Sequence, residues 1–254
     1  MKWLVTALSV GGLLLGTGSA ATAASFTFVG TAGTLQGTAT FEQSGTNLLV
    51  TLTNSSPFDV LVPTDVLTAL FFDLAGVGAL TPTSAVLDGS TVFYDDDGQP
   101  AGGNVGGEWA YGAGLAGAPL GATEGISSTG LGLFGGANFG GPNLAGPAAI
   151  DGAQYGLLSE GDNTATGNTG VTGLGMIKDH VLFTLSGLPV GFILDGDDIT
   201  NVAFLYGTAL TETPIVPGDN PTGDNPTESP EPASLILLGS GLTGVALKLR
   251  RRKS

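Results

Sequence analysis

The sequence has no cysteine. That excludes disulfides, thiolate metal sites and cysteine nucleophiles, and it fits a bacterial envelope better than the disulfide-dense style of small secreted domains. Bases are nearly as scarce. There are 7 Lys and Arg against 22 Asp and Glu in 254 residues, and six of the seven bases (Lys2, Lys248, Arg250, Arg251, Arg252 and Lys253) lie close to the two ends. Residues 25–232 hold one base, Lys178, against all 22 acids, a formal charge of −21. Nucleic acid and anionic membrane surfaces repel such a segment, so neither is an expected partner of it. Histidine occurs once, which with no cysteine leaves zinc without a ligand set. No apolar stripe of 3.6-residue period stands out in residues 25–230, so helices are not expected there. The acids are spread out and 42% of residues are hydrophobic, so this is no disordered acidic tail.

The two ends have their own grammar. Lys2 precedes an apolar run over residues 3–15, and small residues follow as far as Ala24, with Ala21-Thr22-Ala23 and Thr22-Ala23-Ala24 each suited to a cut. This is the layout of a secretory signal peptide over residues 1–24. The run is shorter than a membrane span requires, which weighs against an uncleaved helix. At the other end Pro230-Glu231-Pro232 leads into an apolar run over residues 233–249, closed by Arg250-Arg251-Arg252-Lys253. As a helix that run rises about 25 Å, close to the roughly 30 Å of a hydrocarbon core. The basic cluster prefers the cytoplasmic side, which leaves the acidic part of the chain outside. A buried helix of the globular domain would not end in the chain's main cluster of bases.

This three-part tail resembles the PEP-CTERM sorting signal of exported bacterial proteins, on Pro230, Glu231, Pro232, the apolar residues 233–249 and the bases Arg250, Arg251, Arg252 and Lys253. The resemblance implies recognition by a membrane-embedded exosortase, cleavage near Pro230-Glu231-Pro232, transit through the inner membrane and delivery to the cell surface or extracellular matrix.

Between the ends the pattern has period two. Leu35, Gly37, Ala39 and Phe41 alternate with polar neighbours, Ser44-Gly45-Thr46 reads as a turn, and Leu48, Val50 and Leu52 follow. That predicts a β-hairpin with one apolar face. Residues 67–74, 181–186 and 201–206 predict further strands, with Pro57, Pro63, Pro82 and Pro189 at their margins. The expected fold class is all-β, an antiparallel β-sandwich over residues 25–216. Residues 98–175 hold 24 of the 44 glycines, which predicts long loops and short strands or a separate insertion. Their Trp109, Tyr111, Leu131, Phe134, Phe139 and Tyr155 are expected to pack back on the sheet. Residues 217–229 contain Gly218-Asp219-Asn220-Pro221-Thr222 and then Gly223-Asp224-Asn225-Pro226-Thr227, a tandem repeat read as an extended linker spanning roughly 40 Å.

Candidate chemistry is sparse. Asp95, Asp96 and Asp97, and Asp195, Asp197 and Asp198, are dense carboxylates in predicted loops. Calcium is the ligand they suit best, although Asp and Gly are also ordinary turn formers and neither stretch fits a twelve-residue calcium loop. His180 beside Asp179 leaves a Ser-His-Asp arrangement open without a Gly-x-Ser-x-Gly elbow to support it. Two Gly-x-Gly-x-x-Gly strings, from Gly112 and from Gly130, have no helix behind them and no nucleotide is expected. Asn54-Ser55-Ser56 is a glycosylation sequon. The reading is a protein without catalytic residues or a required cofactor, with a structural or adhesive role at the surface and extracellular polysaccharide as a candidate partner. A carbohydrate- or ice-binding module is the alternative, kept open by outward-facing Thr38, Thr40, Thr51 and Thr53. A secreted hydrolase ranks behind both.

Overall fold

A computed structural model of the chain describes residues 24–135, 138–146, 150, 152–218 and 222–224. The expected signal peptide, apart from Ala24, and the whole tail from residue 230 lie outside the described residues, as does most of the expected linker. No helix among the described residues is long and apolar enough to cross a membrane.

Alternation of apolar and polar residues builds the first sheet directly. Strands β1 (Ser25–Ala32), β2 (Leu35–Ser44) and β3 (Asn47–Asn54) form consecutive antiparallel hairpins. Each hairpin closes on two residues, Gly33-Thr34 and Gly45-Thr46, and both glycines take a left-handed φ, 60° and 63°. Two-residue hairpins need such a φ to match strand twist, and glycine adopts it without a Cβ clash. β11 (His180–Ser186) then pairs with β3, and β5 (Thr81–Val86) pairs with β11. A last edge strand, β13 (Thr222–Asp224), pairs with β1. The six strands lie in the order β13-β1-β2-β3-β11-β5, all antiparallel.

The second sheet is assembled from shorter pieces. Its spine is β4 (Leu67–Leu74), paired along one side with β12 (Ile199–Tyr206). The other side of β4 carries β8 (Glu124–Ser127) and β9 (Leu157–Leu158), followed outward by β7 (Ala110–Ala113), β10 (Met176–Lys178) and β6 (Thr91–Phe93). This sheet is not purely antiparallel, as the sequence pattern had suggested. β9 and β10 run parallel. Parallel neighbours need a crossover of a dozen or more residues, and residues 159–175 supply one, with the single-turn helix α1 (Thr169–Thr172) inside it. Thus residues 98–175 are no separate insertion. They contribute three strands to the second sheet.

The two sheets share one hydrophobic core. Phe41 of the first meets Phe72 of the second at 5.1 Å between ring centroids and 71° between planes, and Trp109 meets Phe183 at 5.0 Å and 62°. Such edge-on aromatic pairs are favourable beyond their buried area. The neighbours Gly30 and Gly37 leave a hollow that the ring of Phe204 fills, since a Cβ on either would come within 2.9 Å of that ring. Of the glycine-rich region's aromatic and apolar residues, Trp109, Tyr111, Phe139 and Tyr155 join this main core, while Phe134 and Leu131 join a smaller one on the far side of the second sheet.

β13 alters the picture of the linker. Asp224 lies opposite Ser25, so the start of the domain and the chain leading to the tail stand side by side at one end of the first sheet. Five residues separate Asp224 from Pro230. Fully extended they reach about 20 Å, half of the span expected for a free linker over residues 217–229.

Candidate functional site

The two Asp-rich stretches serve as turns. After β6, the carboxylate of Asp95 accepts the backbone N–H of Asp97 at 2.9 Å, the carbonyl of Asp95 accepts from Gly98 at 3.2 Å, and the other Asp95 carboxylate oxygen takes the hydroxyl of Tyr155. Before β12, Asp195 accepts from the N–H of Asp197 at 3.2 Å while Asp198 accepts from the N–H of Asp195 at 3.0 Å, a reciprocal cap on a single 3₁₀ turn. Among the described residues no three carboxylates or histidines converge to hold a metal ion. The structure therefore does not bring Asp95, Asp96, Asp97, Asp195, Asp197 and Asp198 into one ligand set.

His180 opens β11 and does meet a serine and an aspartate. Ser90 Oγ lies 3.1 Å and Asp179 Oδ1 3.4 Å from the same ring nitrogen, Nδ1, while Nε2 faces the carbonyl of Asp88 at 3.3 Å. A nucleophile relay needs the serine on one nitrogen and the carboxylate on the other. Here both sit on one nitrogen and the second holds a backbone carbonyl. The imidazole pins the turn between β5 and β6 to β11, and Ser90 Oγ also accepts the N–H of His180 at 3.2 Å. A depression of about 530 Å³ beside this turn is lined by residues including Asp88, Ser90, Gln99 and Gly102. Gln99 is used structurally, donating to the carbonyl of Val92 and accepting its N–H.

Three acids that sequence reasoning passed over are buried. Glu108, 2% exposed, accepts the backbone N–H groups of Leu144 and Ala145 and so fastens that loop of the glycine-rich region. Glu124, 6% exposed, accepts the hydroxyl of Tyr111 at 3.0 Å, and Tyr111 in turn accepts the N–H of Leu80 at 3.2 Å. Burial pushes the Glu124 carboxyl up to about 7, against the Tyr111 hydrogen bond that favours the charged form, and the charge of Asp73 adds to the rise. Burial pushes Asp73 up as well, but hydrogen bonds from Thr123 and Asn201 outweigh it and leave that carboxyl below its ordinary value. Asp162, 5% exposed, faces Asp59 across two packed loops. Glu108 and Glu124 are isolated in sequence and Asp162 has only Glu160 nearby, so no dense cluster marked them. A lone acid between apolar residues, as in Glu124-Gly125-Ile126, was the available signal.

The outward face of the first sheet is rich in threonine. Thr27, Thr40 and Thr51 stand opposite one another on β1, β2 and β3, and Val29, Thr38 and Thr53 form the next rank. Thr27 and Thr40 share a hydroxyl hydrogen bond of 2.9 Å, and Thr38 bonds Ser55 at 2.7 Å. Asn54 of the sequon is fully buried. Its amide donates to the carbonyls of Leu157 at 2.9 Å and Asp65 at 3.2 Å, and its carbonyl accepts the hydroxyl of Tyr206 at 3.2 Å. A glycan on that nitrogen is incompatible with this fold.

No curated protein and no solved structure matches the chain. Residues 230–252 match the PEP-CTERM protein-sorting motif. The match takes in Pro230, Glu231, Pro232, Arg250, Arg251 and Arg252, with Lys253 directly after it. The motif implies handling by an exosortase, a membrane protein, and export by way of the membrane. The chain carries a PEP-CTERM protein-sorting domain in residues 230–252, joined to an all-β domain.

Proposed function

We propose that this is a non-enzymatic surface or extracellular-matrix protein, a β-sandwich secreted through a signal peptide over residues 1–24 and held by a membrane helix over residues 233–249 until an exosortase cuts near Pro230-Glu231-Pro232. The observation that carries the reading is the sorting motif at residues 230–252. The pairing of Ser25 with Asp224 supports it, because both tethers then leave the domain at one end and the domain rides close to the membrane before release. The single histidine is engaged in holding a turn rather than facing a nucleophile relay, which favours a structural or adhesive role over a hydrolase. A strongly acidic domain with outward hydroxyls suits a hydrated polymer matrix, with extracellular polysaccharide as the partner.

The test compares native cells with a strain lacking the exosortase. The protein is expected at the surface or in the matrix of the parent, and in the inner membrane with its tail intact in the mutant. Unchanged surface delivery without the exosortase would overturn the sorting reading. Sedimentation of the purified chain with the cells' own polysaccharide tests the adhesive role, which fails if the chain stays in solution.

The threonine ranks favour one second reading, a flat binding face for carbohydrate or ice. Neighbouring strands repeat at about 4.8 Å, so Thr27, Thr40 and Thr51 stand on the sheet at a regular backbone interval, with the Thr27 and Thr40 hydroxyls drawn together by their hydrogen bond. A glycan array and an ice-recrystallisation assay separate this reading from the first.

A further inference from the structure

The loop after β3 and the loop after β9 run against each other and are tied by backbone hydrogen bonds. Glu160 N–H donates to the carbonyl of Asn54 at 2.9 Å, Gly161 N–H to Ser56 at 3.1 Å, and Asn168 N–H to Leu61 at 3.2 Å. The contact is so close that a Cβ on Gly161 would fall 2.2 Å from the backbone of Pro57. Two carboxylates meet in this seam. Asp59 accepts the N–H of Asn163 at 3.0 Å on one oxygen and the hydroxyl of Thr166 on the other. Asp162 accepts the N–H of Val60 at 2.9 Å on Oδ1, and its Oδ2 is buried with no hydrogen-bond partner. Each carboxylate thus accepts the N–H of the residue next to the other acid, Val60 beside Asp59 and Asn163 beside Asp162, which sets the two carboxyl groups side by side.

Two like charges in contact, one of them desolvated, need something between them. Burial and then Asp59 push the Asp162 carboxyl up, while Thr166 and Asn163 hold the Asp59 carboxyl down. Lys178 offsets the pair only in part: its charge draws the Asp162 carboxyl down, the smallest of the influences on it. Its ammonium donates to the backbone carbonyl of Asp162 at 2.8 Å, and neither carboxylate has an ion-pair partner within 4.0 Å among the described residues. Tyr94, which faces the pair from the end of β6, donates its hydroxyl to the carbonyl of Thr164 at 2.9 Å and adds no cation. Asp162 is buried and Asp59 is only half-buried, so the seam is open to ions on the Asp59 side.

We propose that Asp59 and Asp162 bind a hard divalent cation, Ca²⁺, with Asp162 Oδ2 and the Asp59 carboxylate as its charged ligands. The ion would take its remaining oxygens from water and from the neutral groups of residues 162–166, since Ca²⁺ accepts six to eight oxygen ligands in flexible loops. Two carboxylates make a weak site, in the roughly 10⁻⁴ to 10⁻³ M range of extracellular calcium modules. Bound there, the ion clamps the β3–β4 connection to the β9–β10 crossover, and so fastens a loop at the rim of the first sheet to the crossover of the second.

The experiment is a thermal melt of the full chain in detergent at pH 7.5, with 10 mM CaCl₂ against EDTA, for the native protein, D162N and D59N. D162N keeps the shape of the side chain and supplies an amide that bonds Asp59 as a protonated acid would. The native melting temperature is expected to rise by about 3 °C with calcium. Both variants lose that rise, while D96N, in the exposed turn after β6, keeps it. Direct calcium titration of the native protein should show one site that D162N removes. Two results would overturn the proposal. One is a native melt indifferent to calcium but stabilised as pH falls through the raised Asp162 carboxyl, which means the pair shares a proton. The other is a calcium shift that survives in both D162N and D59N, which puts the ion elsewhere.

Discussion

The two sheets share a core but were built by different rules. In the first, the hairpin strands β1, β2 and β3 are 8 to 10 residues long, join through two-residue turns and bury every second side chain. In the second, the strands drawn from the glycine-rich region, β7, β8 and β9, are 2 to 4 residues long, and buried acids act as anchors, Glu124 tying β8 to Tyr111 of β7 and Glu108 fastening the loop at Leu144. The difference teaches that regular alternation specifies register locally, whereas short strands depend on a few polar anchors and on glycines placed where two backbones touch. At Gly107 a Cβ would lie 1.9 Å from the carbonyl oxygen of Pro142, so that contact exists only because the residue is glycine.

If the glycine-rich region is an equal half of the core, damage to it should cost as much as damage to the first sheet. Trp109→Ala and Phe41→Ala are each expected to lower the unfolding free energy by about 4 kcal/mol, as for large buried aromatic residues elsewhere. Chemical denaturation measures both. A Trp109→Ala loss below about 1 kcal/mol would make the region an appendage and break the comparison.

The polar anchors should come next. Asn54→Ala removes three hydrogen bonds that join β3 to β9, β12 and the loop before β4. It strands buried carbonyls, and a loss of about 2 kcal/mol is expected by the same method. A neutral result would mean that water replaces the amide.

The smallest effect sharpens the comparison through pH. The carboxyl of Glu124 is raised from 4.5 to about 7 in the fold. A raised acid binds its proton more tightly folded than unfolded, so its stabilising contribution is whole below pH 4.5 and is lost as pH climbs through 7. The loss should be about 1–2 kcal/mol once partial solvation is allowed for. Melting temperatures between pH 4 and 8 should fall more steeply for the native protein than for Glu124→Gln. Parallel curves would show that Glu124 does not govern this dependence.

How much of this was legible follows from the same contrast. The β2–β3 hairpin could be read from Leu35 to Leu52 because alternation and a Gly-Thr turn act within a dozen residues. The cores of β11 and β12 were legible through the same alternation, and β4 through its dense apolar run, buried on both faces. The parallel β9–β10 pair was not, since Leu157-Leu158 is too short to show any period and its partner lies across a crossover. Nor was β13, because Gly-Asp-Asn-Pro-Thr reads as linker and only the free edge of β1 makes it a strand. The Asp-rich stretches drew attention through density, yet density on a β-turn means caps. Asp59 and Asp162 are 103 positions apart, and only the fold makes them neighbours. The sorting tail was fully legible, because its signal is a linear order of proline, apolar and basic residues.

The most direct test of the central claim is the intact mass of the protein recovered from its native cells, with sequencing of its C-terminal peptide. The account expects a chain that begins near Ser25 and ends near Pro230-Glu231-Pro232, found at the surface or in the matrix. A surface protein that still carries Arg250-Arg251-Arg252-Lys253 would contradict it and make the tail a permanent membrane anchor.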